Sequence, residues 1–142
     1  MFQDDLLETE NVNTLKFGPG FEEIQCLTHT EVYQILTSKT HDVQRTQAYT
    51  KTIEHVKRFG TADDEKHAIT TELRQALETF ERDTDQGTET LHSYEIVSLC
   101  NLMQADSTVD EAIALIPSLS RKFKEEDIEA LLDIIRKANA AR

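Results

Sequence analysis

The chain has 142 residues, a length that suits one domain with a sizeable apolar core. Its 27 acidic and 15 basic residues give a formal net charge of −12, which disfavours direct binding to nucleic-acid phosphates or to an anionic membrane surface. The sequence has no run of about 18 apolar residues that would suit a membrane span, and no signal-peptide pattern at its start. With only four Gly and two Pro, a turn-rich β protein is also disfavoured.

Residues 1–27 differ from the rest of the chain. The first ten residues are acidic, and we expect them to be mobile. Residues 12–17 alternate apolar and polar side chains, a pattern typical of one short strand, and the Gly-Pro-Gly run at 18–20 ends it. No second strand is predicted, and a lone strand leaves its backbone groups unpaired. The segment therefore either lies as a loop on the helices or adds a strand to the sheet of another protein.

Apolar residues recur at helical spacing through the rest of the chain and predict about six helices. They cover residues 28–38, 43–59, 61–80, 93–103, 107–117 and 124–139. Three of the predicted starts have capping-box spacing: Thr28 with Glu31, Thr61 with Asp64, and Ser107 with Asp110. Gly60 and Pro117 are predicted to end helices. Residues 81–90, which are polar and acidic, are predicted to form a loop.

Residue types that carry catalysis occur here without the spacing that catalysis needs. The five histidines form no HExxH motif and no zinc-type cluster, and no phosphate-binding glycine loop or nucleophile elbow is present. Cys26 and Cys100 are far apart in sequence, and we expect both to be reduced and mostly buried thiols. We therefore nominate no catalytic residue, no cofactor and no metal ligand.

Two short clusters, residues 57–59 and 121–124, combine basic residues with a phenylalanine. Such pairs suit phosphate contact and base stacking. Because the chain is strongly acidic, we interpret them instead as helix-end charges beside a core phenylalanine.

Several strings in the chain carry a family resemblance. Residues 91–96 read LHSYEI, residues 99–102 read LCNL, and residues 114–119 read ALIPSL. Upstream, the resemblance extends through residues 15–22 and 27–36, Lys51-Thr52 and Arg58-Phe59, and downstream it includes Leu131-Leu132-Asp133. From about residue 14 onward the chain resembles the fourth-subunit family of eukaryotic RNA polymerase II. The ALIPSL string is the most specific of these matches, whereas the 81–90 loop is longer than the resemblance leads us to expect.

The resemblance implies an all-α, HRDC-like bundle over residues 28–142, preceded by an extended segment, residues 1–27, that pairs with a partner. In the family this partner is the seventh subunit, which has an OB-type barrel, and the first helix, residues 28–38, also faces it. Aromatic and aliphatic side chains suit the centre of such an interface, although the same side chains also suit packing within the chain. The residues implied to bind the partner are Leu15, Phe17, Phe21, Ile24, Leu27, Val32, Ile35 and Leu36.

The function implied is that of a non-catalytic stalk subunit of DNA-directed RNA polymerase II. Such a subunit docks near the clamp, supports initiation and nascent-RNA handling, and presents a surface to transcription and RNA-processing factors. The resemblance implies little direct contact with nucleic acid, no cofactor, no membrane, and a location in the nucleus with some protein in the cytoplasm. Two binding alternatives stay open: the equivalent stalk subunit of RNA polymerase III, and a free HRDC-like nucleic-acid-binding module. A small helical enzyme with an unrecognised site is a further alternative.

Overall fold

Helices dominate the structure, a computed structural model that describes residues 10–21, 23–38, 46–60 and 64–140. The elements are α1 His29–Ser38, α2 Gln47–Phe59, α3 Asp64–Glu78, β1 Glu81–Thr84, β2 Gly87–Thr90, α4 Ser93–Leu102, α5 Val109–Leu115, α6 Leu119–Lys122 and α7 Glu125–Ala140. The predicted helical bundle is confirmed, with the single turn α6 added between the last two predicted helices. No helix in these described ranges is both long and apolar enough to cross a membrane.

The apolar core lies among helices α3 to α7. Helix α3 packs against α4 and α7, and α5 packs against α7. The rings of Phe80 and Phe123 meet edge-on inside it, with their centroids 5.6 Å apart. The helical stripes predicted from the sequence supply most of the fully buried apolar side chains, which include Leu77, Leu99, Ile116, Ile128, Leu131, Leu132 and Ile135. Leu119, which lies in α6 and outside the predicted stripes, is also fully buried. Burying each such side chain stabilises the fold by about 1.5–3 kcal/mol.

Capping boxes start several helices, because they satisfy backbone N–H groups that the first turn leaves free. The box predicted at Thr28 is confirmed: the Thr28 and Glu31 side chains each accept the other residue's backbone N–H. The box predicted at Ser107 lies one residue later, at Thr108 and Glu111. The Ser107 hydroxyl instead accepts the backbone N–H of Gln104 in the preceding loop. The predictions for residues 1–9, 43–45 and 61–63 fall outside the described residues.

Residues 81–90 form an antiparallel β-hairpin, so the prediction of an irregular loop without a strand pair is wrong. Glu81 pairs with Thr90, and Thr84 pairs with Gly87 across a two-residue turn. Gly87 has φ +117°, a conformation that glycine adopts at little cost. Threonines favour strands, and Gly87 directly after the turn supplies the left-handed residue with which β2 begins.

Arg82 attaches this hairpin to the helical core. Its guanidinium lies over the Phe80 ring, 4.4 Å from the centroid. Its Nε is 3.4 Å from Oδ1 of Asp127 at the start of α7. The hairpin therefore has a defined position on the bundle.

Residues 12–17 form a closed turn, so the predicted strand is wrong and the loop alternative is the one observed. Val12–Thr14 is one turn of 3-10 helix, and the backbones of Asn11 and Lys16 exchange hydrogen bonds of 2.8 and 2.9 Å. The Asn11 side chain also accepts the Asn13 N–H at 3.0 Å. Such local bonds from an asparagine compete with extended structure. The turn places Leu15 at φ 59°, in the left-handed region.

Helices α1 and α2 pack against each other beside the core, and α1 also contacts α3. Gly60 ends α2 as predicted, and it lies very close to the start of α1. A Cβ at this position would be 2.9 Å from the Thr30 nitrogen and 3.0 Å from the His29 carbonyl carbon. Only glycine therefore allows the two helix ends to approach this closely.

Candidate partner-binding surface

Large exposed apolar side chains are concentrated before and within α1. We call Val12, Phe21, Ile24, Leu27 and Ile35 the apolar patch; their exposed fractions range from 42 to 59%. Apolar groups left in water in one part of a chain mark candidate interaction sites. Elsewhere in the described residues, Phe59, Leu102 and Leu115 are also exposed.

The eight residues predicted to bind a partner divide into two groups. Phe21, Ile24, Leu27 and Ile35 are exposed, whereas Leu15, Phe17, Val32 and Leu36 are half-buried. Packing within the chain accounts for much of this burial at Phe17. Its ring stacks on His92 with a centroid separation of 5.1 Å and meets Tyr94 at 5.6 Å. Phe17 thus attaches the N-terminal segment to the start of α4.

Backbone hydrogen bonds to α3 and α4 fix the segment that leads into α1. The Cys26 N–H donates to Oγ of Ser93, and the Cys26 carbonyl accepts from Nη2 of Arg74, both at 2.8 Å. The His29 N–H donates to Oδ1 of Asn101 at 3.1 Å. We call Arg74, Ser93 and Asn101 the polar latch. Leu27 lies between these backbone contacts, and its side chain is exposed.

Arg74 is the centre of the polar latch and is only 7% exposed. Its Nη1 lies 2.5 Å from Oε1 of Glu31, and its Nε lies 3.1 Å from Oε1 of Glu78. The Glu31 carboxylate therefore both caps α1 and pairs with α3. Hydrogen bonds between oppositely charged groups are stronger than those between neutral groups. A buried charge without such partners would destabilise the fold. Sequence reasoning missed Arg74 because two of its partners, Glu31 and Cys26, are distant along the chain.

Cys100 lies beside this ion pair as a protonated thiol. Burial raises its pKa to about 12; the Arg74 guanidinium opposes that rise and the Glu31 carboxylate adds to it. Cys26 and Cys100 are both free and half-buried, less buried than we predicted. A protonated thiol is a poor nucleophile, so Cys100 is suited to packing.

His29 and His55 meet where α1 and α2 approach each other. Their ring centroids are 5.5 Å apart, and the Phe59 ring lies 4.8 Å from that of His55. Burial, and secondarily the neighbouring His55, lower the pKa of His29. The Nδ1 atom of His29 is buried without a hydrogen-bond partner in the described part of the chain. The site therefore favours a neutral His29.

The two phenylalanines of the basic clusters have different environments. Phe123 is buried in the core, as predicted. Phe59 is 58% exposed, so its interpretation as a core residue is wrong, and the Arg58 guanidinium lies 5.6 Å from its ring centroid. The end of α2 therefore presents an aromatic ring and cations to solvent.

The buried carboxylate of Glu95 has a structural role. It accepts hydrogen bonds from the Ser118 hydroxyl at 2.7 Å, from Lys122 Nζ at 2.6 Å and from the His92 backbone at 2.8 Å. These bonds join α4 to α6 and neutralise the buried charge. In the ranges that the structure describes, no three His, Cys, Asp or Glu side chains are grouped to hold a metal. The described residues therefore combine a buried helical core with an exposed apolar patch that precedes it in the chain.

Most of the chain, residues 26–139, matches a family model described as RNA polymerase Rpb4. The chain belongs to the RNA polymerase Rpb4 family. It is 32% identical over 133 residues to DNA-directed RNA polymerase II subunit 4 of Arabidopsis thaliana, with 87% of each chain covered. The Rpb4 match confirms the resemblance carried by the ALIPSL string, which runs from the end of α5 to the first residue of α6. The matched range includes Leu27 and α1, and it begins after the N-terminal turn.

Proposed function

We propose that this chain is the Rpb4-type, non-catalytic stalk subunit of DNA-directed RNA polymerase II. The observation that carries the proposal is the 32% identity to a polymerase II subunit 4, which extends over 87% of both chains. The same relative supports polymerase II over the equivalent subunit of polymerase III. Polymerisation belongs to other subunits, so the chemistry of this chain is binding.

The partner in this proposal is the seventh subunit, held as a heterodimer on the N-terminal segment and α1. The exposed residues of the apolar patch support it, because aliphatic and aromatic side chains lose unfavourable contact with water when a partner covers them. The half-buried predicted residues, Leu15, Phe17, Val32 and Leu36, contribute the parts of their side chains that remain exposed. The polar latch supports the same proposal, since it holds the patch in place before the partner arrives and so reduces the entropy lost on binding.

The acidic surface of the chain supports the remaining parts of the proposed function. A net charge of −12 opposes RNA phosphates, so the chain contacts little nucleic acid itself. Its role is to hold the barrel of the seventh subunit near the clamp, where that barrel meets nascent RNA. The stalk supports initiation, and its outer surface meets transcription and RNA-processing factors. This function places the protein in the nucleus, with a cytoplasmic fraction.

Affinity purification of the tagged chain from its source cells, followed by mass spectrometry, tests this function. We expect the large polymerase II subunits together with a barrel-containing partner. A Leu27→Asp/Ile35→Asp variant is expected to lose both, because two buried carboxylates would disrupt an apolar contact. Leu115→Asp, at an exposed leucine of α5, is the matched control and should retain them. Recovery of polymerase III subunits, or of neither enzyme, would reject the proposal.

A second candidate function, binding of single-stranded RNA by the free chain, rests on the exposed Phe59 beside Arg58. An exposed ring next to a cation suits base stacking and phosphate contact. Fluorescence anisotropy with a labelled RNA at low salt tests it. Affinity that falls steeply with salt and is lost in Phe59→Ala supports this candidate, and no binding at low salt excludes it.

A further inference from the structure

A groove of about 450 Å³ lies between the N-terminal segment and the base of the β-hairpin. Leu15 and Ile24 line it from the segment, and Glu89 and Thr90 line it from β2. The hairpin therefore forms one wall of a groove whose other wall belongs to the region that we propose binds the partner.

The charges around this groove are predominantly negative. Glu23 lines it and is exposed, and the Glu89 side chain is half-buried. Neither carboxylate has an ion-pair partner within the described residues. Lys122 also lines the groove, but its Nζ lies 2.6 Å from the buried carboxylate of Glu95, which neutralises it. The groove therefore carries two uncompensated acidic groups beside apolar side chains.

The groove is continuous with the proposed partner-binding surface. Ile24 belongs to the apolar patch and also lines the groove. Leu15 is held at the groove in the left-handed conformation, which is costly for a bulky residue. A partner that covers Ile24 therefore also contacts the edge of the groove.

We propose that this groove binds a basic, partly apolar segment of the same stalk partner. One Lys or Arg of that segment lies between Glu23 and Glu89, and an apolar side chain lies against Leu15 and Ile24. The proposal rests on the proposed function, and it makes the hairpin a part of the interface. Complementary charges at such a rim accelerate association and fix the register of the two surfaces.

The test uses the full chain and the purified seventh subunit of the same organism in isothermal titration calorimetry. Glu23→Lys/Glu89→Lys places cations where the partner's basic residue binds. We expect a dissociation constant roughly tenfold higher at about 50 mM salt, with a smaller difference at about 300 mM because salt screens exposed charges. The matched control is Glu54→Lys/Glu72→Lys, which makes the same change in net charge at two exposed helix positions outside the groove. It should stay within about twofold of the unmodified chain.

Each outcome decides a separate point. If the unmodified chain binds and only the groove variant is weakened, the groove is supported. If both double variants bind like the unmodified chain, the groove proposal is overturned while the proposed function stands. If the unmodified chain does not bind the seventh subunit, both are overturned. Sedimentation of the chain alone tests whether a second copy of the chain occupies the groove instead of the partner. A dimer that the groove variant dissociates would assign the groove to that second copy and overturn the proposal.

Discussion

The region of α3 to α7 and the region that precedes it use their apolar residues in opposite ways. In α3 to α7, the helical stripes are buried against one another, and even the charged Glu95 is enclosed by partners. Before residue 64, Val56 is the one buried apolar residue in the described ranges, and the apolar patch is exposed. Stability therefore resides mainly in the later region, and the earlier region supplies a surface that the later one holds in position.

Core truncation is the largest effect that this comparison predicts. Leu131→Ala, in α7, should lower the free energy of unfolding by about 3 kcal/mol, because it removes a fully buried side chain and leaves a cavity. Ile35→Ala, in α1, should cost roughly 1 kcal/mol or less, since its side chain is already partly in water. Urea unfolding followed by circular dichroism measures both. Equal losses would contradict the division into two regions.

The polar latch joins the two regions, so Arg74→Ala is expected to have the next largest effect on the free energy of unfolding. It leaves Glu31 without its cation and the Cys26 carbonyl without its donor, at a cost of about 2–3 kcal/mol after allowance for the partial exposure of Glu31. Amides 26–31 should exchange faster with deuterium. Arg121→Ala, at an exposed arginine, is the control and should leave this exchange unchanged. If Arg74→Ala leaves the exchange at amides 26–31 unaltered, the latch does not hold the segment.

A smaller effect is expected at the aromatic contact of the N-terminal segment. Phe17→Ala removes the stack on His92 and Tyr94, which is worth about 1 kcal/mol. Hydrogen exchange at the Asn11 and Lys16 amides should accelerate, since the turn loses its attachment. Phe21→Ala deletes the same ring at an exposed position and should leave these amides protected. Equal acceleration in both variants would show that Phe17 does not anchor the turn.

The smallest predicted effect depends on pH and lies between α1 and α2. The pKa of His29 is lowered in the folded state, so below about 6.5 the unfolded chain takes up a proton more readily than the folded one. The stability that neutral His29 contributes is present at pH 7 and is lost as pH falls through 6.5 to the lowered pKa. His29→Gln should flatten this part of the stability profile measured by thermal unfolding. An unchanged profile in that variant would exclude His29 as its cause.

The sequence predicted the later region well because its signal is local. Ile128, Leu131, Leu132 and Ile135 repeat at helical spacing, and burying them requires only that a neighbouring apolar face exists. The hairpin was missed because its strands are polar on both faces, so no alternation of apolar and polar residues marks them. At the start of α4, Nδ1 of His92 accepts the Tyr94 N–H at 3.0 Å, and the Glu95 carboxylate accepts the His92 N–H. This cap was missed because histidine is an unusual capping residue, although Glu95 three positions later was a usable signal.

The candidate surface was predicted only as a set of residue types. Which of its members are exposed depends on contacts between distant parts of the chain, such as Phe17 with His92 and Arg74 with the Cys26 carbonyl. The spacing of apolar residues along the sequence does not predict which distant residues form such pairs. The local hydrogen bonds of Asn11 likewise prevailed over the alternating pattern that predicted a strand.

The position of the core late in the chain has a consequence for synthesis on the ribosome. The core cluster draws on residues 73 to 135, so the apolar patch emerges well before the helices that hold it have been made. At ~5–20 residues per second, translation from Gly60 to the end of α7 takes roughly 4–16 s. During that interval the apolar patch is exposed to solvent, where the partner proposed above can cover it. Supply of the partner during translation is therefore expected to set the yield of folded chain, independently of its final stability.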